Sequence, residues 1–158
     1  MRVLFVCTGN TCRSALAEAI GVQLASSRAH LTVVVSSAGT SAWDGAPASD
    51  GALLVGIERN LDLSGHRSRQ LSRELVREAD LILAMGPHHV DRVEALGGTG
   101  KTHLLTDYAE RSTDGRPIID PFGGGLEDYR TTTSELERMI AMAFDRLAAE
   151  TARPPEAS

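Results

Sequence analysis

The sequence predicts a single three-layer α/β domain: a parallel sheet of about four strands, helices on both faces, and a ligand-binding loop after the first strand. Three observations predict it. Short valine-rich apolar runs alternate with stretches of helical period along 158 residues, a length that suits one core and is short for two. The first run ends in Cys7, and Arg13 follows after a loop of small residues, "TGNTC". In such folds ligands sit beyond the carboxyl ends of the strands, where strand order reverses, and Cys7 stands at such an end.

Residues Arg2–Cys7, "RVLFVC", read as a short buried strand. From Arg13 to about Ser26 the period becomes 3.6, with Leu16, Ala19, Ile20 and Leu24 on one face. A second strand, "LTVVVSSAG", follows from Leu31, and its unbroken β-branched run predicts a place inside the sheet. "TSAWDGAPAS" is a loop by composition and leads into a helix near Ser49–Arg59. Ser72 can cap a short helix, "RELVREA", before a strand over Asp80–Met85. Pro87 suits the first turn of another helix, which stops at Gly97–Gly98. "KTHLL" is a weaker fourth strand. An irregular stretch from Thr106 to Asp128 precedes the last helix, roughly Tyr129–Ala149. There Leu136, Met139, Ile140, Ala143, Phe144 and Leu147 form one stripe. The domain is expected over residues 1–150, and 151–158, "TARPPEAS", as a disordered tail.

Composition excludes several functions. A net charge of −5, with one tryptophan, two tyrosines and three phenylalanines, suits neither a phosphate backbone nor a base-stacking platform, so no nucleic-acid partner is expected. No window approaches the ~18 apolar residues of a membrane span, and Val3–Cys7 is too short for an export signal core. The expected location is therefore cytoplasmic, with both cysteines reduced. Two cysteines without matching histidine spacing make no zinc site, so no metal is expected. His88 and His89 are adjacent and read as surface histidines. "GGTGKT" has the look of a nucleotide-binding loop, but Ala95 stands where the pattern needs its first glycine. The stretch also runs from helix into strand, the reverse of what that loop requires, and reads as a plain helix stop.

The chemistry concentrates in "VCTGNTCRS", Val6–Ser14. Asn10 tolerates left-handed backbone angles, so the loop can curl its N–H groups inward beside the positive end of a helix dipole, where a tetrahedral oxyanion binds. Arg13 adds a planar fork for two phosphate oxygens. The same field favours a thiolate at Cys7, and Ser14 can donate a hydrogen bond to it. Phosphate ester cleavage through a thiolate also needs an acid for the leaving group, and "DPFGG" offers Asp120. Cys12, five residues from Cys7 in the same loop, is near enough to capture an oxidised Cys7 as a disulfide.

"VCTGNTCRS" near the N-terminus, with "DPFGG" before the last helix, strongly resembles the low-molecular-weight protein tyrosine phosphatase family. "SSAGTSAW" and "GHRSRQL" resemble family segments between them, so the likeness covers nearly the whole chain. It implies Cys7 as nucleophile, Arg13 as phosphate clamp, and Asp120 as general acid and then base. Thr8, Gly9, Asn10, Thr11, Cys12, Arg13 and Ser14 become the phosphate-binding loop, and Asn10, Ser14, Ser37 and His66 its supporting network. Trp43 and Phe122 become walls of the substrate entrance. Ala15 replaces the proline of the commonest family pattern and touches no catalytic group.

Thr11 is the informative departure, because many tyrosine-specific members carry an aliphatic residue there. A threonine with "DPFGG" resembles the bacterial subgroup that dephosphorylates arginine in proteins. The expected substrates are therefore phosphorylated proteins, with phosphoarginine ahead of phosphotyrosine. Phosphate-like oxyanions are expected inhibitors, no cofactor is expected, and the chain should be a monomer or weak dimer. Two other classes fit the sequence less well. Arsenate reductases that resemble this family relay a disulfide through further cysteines, and this chain has only Cys7 and Cys12. A non-catalytic phosphate-binding module has no use for Asp120.

Overall fold

The structure is a computed structural model and describes residues 1–28 and 30–152. Four strands, β1 (Arg2–Cys7), β2 (Val34–Gly39), β3 (Leu81–Ala84) and β4 (Thr102–Leu104), pair in parallel in the order β2-β1-β3-β4. They alternate with α1 (Arg13–Ser26), α2 (Asp50–Arg59), α3 (Arg73–Glu78), α4 (Pro87–Val93), α5 (Leu105–Glu110) and α6 (Leu126–Thr151). The chain leaves β1 for β2 on one side and reaches β3 on the other. Strand order thus reverses at β1, and the crevice beyond Cys7 is the ligand site of such a sheet.

Side-chain alternation along β1 builds two cores. Val3, Phe5 and Cys7 join the larger one, under α1, α2, α5 and α6, while Leu4 and Val6 join the smaller one, with Val76 and Val93. The predicted stripe on the last helix is buried as expected, and it begins earlier, at Tyr129. Ser49 and Ser72 cap α2 and α3 by accepting the N–H of Ala52 and Leu75. Gly97, at φ 104°, ends the wide final turn after α4, so "GGTGKT" is a helix stop.

Three expectations need correction. β2 is the edge strand of the sheet: among the described strands it pairs with β1, its other side meets only an isolated bridge from Gly39 to Gln70, and Val34 at its start is 63% exposed. An unbroken β-branched run records one well-packed face, here against α1, and cannot distinguish an inner strand from an edge. The irregular stretch is shorter than expected, because α5 covers Leu105–Glu110 and α6 starts at Leu126; six residues are too few for a helical period to register. The chain also stays helical through Thr151, inside the expected tail, while residues 153–158 lie outside the described residues. No helix among the described residues is long and apolar enough to cross a membrane.

Candidate active site

The loop between β1 and α1 is held from below by one side chain. Asn10 is fully buried with φ 57°, the left-handed region an asparagine tolerates. Its amide donates to Ser14 Oγ at 2.8 Å and Ser37 Oγ at 2.9 Å, and its Oδ1 accepts the Arg69 N–H at 2.9 Å. Ser37 Oγ in turn donates to Glu18 Oε1 at 2.9 Å. Ser14, already accepting from Asn10, has its proton free for Cys7 Sγ, 2.8 Å away. For a Cys7 thiolate, which can only accept, Ser14 is the donor, and the chain of hydrogen bonds then ends on the sulfur.

His66 closes the network. Its Nε2 donates to the Asn10 carbonyl at 2.6 Å, and its Nδ1 lies 3.9 Å from Glu18. Burial alone would lower the His66 pKa, but Glu18 and the Asn10 carbonyl outweigh it and raise the value, favouring imidazolium. Burial pushes Glu18 the other way, and the hydrogen bonds of His66 and Ser37 bring it below its ordinary value. Gly39 permits the close approach of β2: a Cβ there would stand 3.0 Å from the Asn10 nitrogen and closer still to the Thr8 carbonyl oxygen.

At the start of α1, Cys12 occupies the N-cap position without a side-chain cap, and no acidic residue stands in the first turn. These amides remain available to an anion, as helix N-termini favour. Arg13 is buried; one guanidinium nitrogen donates to the Ile118 carbonyl at 3.0 Å, and another lies 3.5 Å from Asp120. Asp120 is half exposed, and its Oδ1 accepts the Phe122 N–H at 3.0 Å. The Cys12 thiol donates to Ser49 Oγ at 3.2 Å and lies 3.4 Å from the Tyr129 hydroxyl. Burial first, then the neighbouring Cys12, raises the Tyr129 pKa to about 12, so this phenol stays neutral. Both cysteines are free thiols.

One cleft of about 270 Å³ gathers Cys7, Thr8, Gly9, Thr11, Cys12, Arg13 and Asp120, with Trp43 and Phe122 at its rim. Both aromatics are strongly exposed, as an entrance requires. Asn10, Ser14, Ser37 and His66 lie beneath it as support. A second recess, about 370 Å³ between α1 and residues 60–66, lies behind Glu18 and His66 and includes none of the loop's polar groups.

Sequence reasoning missed three side chains. Glu18 stands four residues after Ser14 on α1, a spacing that shares a face. Tyr129 lies seven residues before Leu136 and so extends the buried stripe of α6. His89 was expected at the surface and is instead fully buried, with Nε2 2.8 Å from Thr8 Oγ1. His88 is exposed, while His89 turns inward with Val93, four residues on.

Fold and site together define a class: an α/β protein that presents a thiol, a buried guanidinium and open helix amides in one cleft. The chain belongs to the low molecular weight phosphotyrosine protein phosphatase family, whose model matches residues 2–153. It is 38% identical over 149 residues to the protein-arginine-phosphatase of Bacillus subtilis, covering 93% of this chain and 97% of the relative. It is 36% identical over 141 residues to the low molecular weight protein-tyrosine-phosphatase PtpB of Staphylococcus haemolyticus, covering 89% of this chain and 95% of the relative. Among solved structures it superposes, with a TM-score of 0.85 and 35% identity, on a YwlE arginine phosphatase mutant with a phosphorylated active-site serine. That match covers 98% of each chain.

Proposed function

We propose that the chain is a metal-independent protein phosphatase that works through a phospho-cysteine on Cys7, with phosphoarginine in proteins as its preferred substrate. The observation that carries this reading is the 2.8 Å hydrogen bond between Ser14 Oγ and Cys7 Sγ, in a cleft shared with Arg13 and Asp120. The Cys7 thiolate attacks phosphorus and the bond to the leaving atom breaks. Arg13 and the loop amides stabilise the equatorial oxygens. Asp120 gives its proton to the departing nitrogen or oxygen. As carboxylate it then takes a proton from the water that displaces Cys7 and releases phosphate. The similarity to a YwlE mutant phosphorylated at its active-site serine supports a covalent step on the matching residue.

Thr11 supports the choice of substrate, because it lines the cleft and offers a compact polar wall beside the leaving group. The similarity to protein-arginine-phosphatases points the same way. Trp43 and Phe122 favour the second reading, a phosphotyrosine phosphatase, since two rim aromatics suit a phenyl ring. The deciding experiment compares kcat/KM for phosphoarginine and phosphotyrosine peptides of one sequence. A higher value for phosphoarginine supports the first reading, and the reverse establishes the second. Chelators should leave either activity intact.

We propose also that this domain, expected over residues 1–150 and extended by α6 to Thr151, works in the cytoplasm as a monomer or weak dimer. It also makes the site sensitive to oxidation. Peroxide converts Cys7 to the sulfenic acid, and attack by Cys12 forms the disulfide and releases water. Thiols should then restore activity in the wild type, whereas Cys12→Ala should inactivate irreversibly. Equal recovery in both would leave Cys12 as a packing residue.

A further inference from the structure

His89 is wholly buried on α4 and reaches the phosphate loop at one point, Thr8 Oγ1, 2.8 Å from its Nε2. Its other ring nitrogen, Nδ1, is buried without a hydrogen-bond partner among the described residues. Thr8 itself is exposed and lines the cleft beside Cys7 and Arg13. Two neutral tautomers are open to the ring. With the proton on Nδ1, a buried N–H is stranded, and Thr8 must donate into Nε2, leaving only lone pairs for the cleft. With the proton on Nε2, Thr8 accepts it and keeps its own proton free, and the stranded atom is an acceptor. Orphaned buried N–H groups are the rarer of the two. A phosphate dianion moreover offers acceptors alone, so a loop that binds it gains from every donor turned inward.

We propose that His89 is a positioning residue for this cleft: its Nε2–H holds Thr8 so that the Thr8 hydroxyl proton faces the cleft, adding one donor for a phosphoryl oxygen. The groups facing the imidazole are consistent with a neutral ring. His88 packs against it on the same helix, ring centroids 3.9 Å apart, while Arg13 from α1 and Asp120 from the loop before α6 act from the cleft side. Burial first, then His88 and Arg13, lowers its pKa to about 3 against the opposing pull of Asp120.

The inference rests on the phosphatase reading and is tested by quantities that need no turnover. In the wild type, the ¹⁵N shifts of the His89 imidazole should report a neutral ring protonated at Nε2 from pH 5 to 8. Thr8→Val and His89→Leu should each weaken binding of inorganic phosphate roughly 3- to 10-fold, the scale of one hydrogen bond. The double variant should bind no worse than either single one. His89→Gln, which retains an N–H donor, should recover part of the loss. An Nδ1–H tautomer, an unchanged phosphate affinity in Thr8→Val, or additive losses would overturn it. Should His89→Leu fail to fold, Thr8→Val and the wild-type tautomer decide the matter. Absence of wild-type turnover of p-nitrophenyl phosphate, with these binding results intact, would count against the phosphatase reading alone.

Discussion

In the phosphate loop both amide hydrogens and the carbonyl oxygen of the Asn10 side chain are used, and the residue is fully buried. Across the cleft, the stretch carrying Asp120 is 76% exposed at Ile119 and 73% exposed at Phe122. That stretch is tied at a few points, among them Ile118 N–H to the Met85 carbonyl at 2.8 Å and the Thr132 hydroxyl to the Ile119 carbonyl at 3.1 Å. The thiol end of the cleft is thus preorganised, where charge must be met without rearrangement. The acid end is anchored by the buried Ile118 and Pro121, while Ile119, Asp120 and Phe122 face outward, which leaves the carboxyl room to adjust to the leaving group.

The comparison breaks first at the sulfur. Cys7→Ser should abolish turnover and keep phosphate binding, because a serine hydroxyl gains no activation in a site tuned for a thiolate. Rapid quench of the wild type should trap a phospho-cysteine, and turnover surviving in Cys7→Ser would sink the mechanism. On the acid side, Asp120→Asn should slow substrates with poor leaving groups by roughly 10²–10⁴-fold and an activated aryl phosphate less. Equal slowing would make Asp120 a substrate-positioning group.

Thr11→Ile should move the kcat/KM ratio of phosphoarginine to phosphotyrosine peptides toward phosphotyrosine by about 10–200-fold, the range for added methyl groups in a pocket. An unchanged ratio at full activity would make Thr11 a bystander. Asn10→Ala sharpens the structural contrast: it strands the Arg69 N–H and removes the donor to two serines, so it should cost about 1–3 kcal/mol of stability. Asp120→Asn, at a half-exposed position, should stay within about 0.5 kcal/mol in the same denaturant titration.

The remaining contrast is in pH. His89 titrates at about 3 in the fold against an ordinary 6.5, so the unfolded chain takes up a proton first on acidification. Its contribution is complete above pH 6.5 and falls as pH drops toward 3, with a slope of at most about 1.4 kcal/mol per unit. His66, raised in the fold, has the opposite sign: its contribution is complete below 6.5 and is lost as pH rises through the folded value. The stability gap between wild type and His89→Gln should therefore narrow from pH 7.5 to pH 5, and a constant gap would contradict a neutral buried His89.

The sequence by itself determined the alternation of strands and helices, the Cys7–Arg13 loop at a strand end, and Asp120 in its glycine-rich stretch. Each of these is a local pattern, carried by periodicity, turn chemistry or a short spacing. Tertiary structure alone decided that β2 lies at the sheet edge, because an apolar run records burial on its faces and not partners at its edges. It alone brought Asn10 to Arg69, Cys12 to Tyr129, and Thr8 to His89, across separations of 59 to 117 residues. Such pairs leave no period in the chain, since a hydrogen bond over that distance depends on how layers stack and not on which residues are neighbours in sequence.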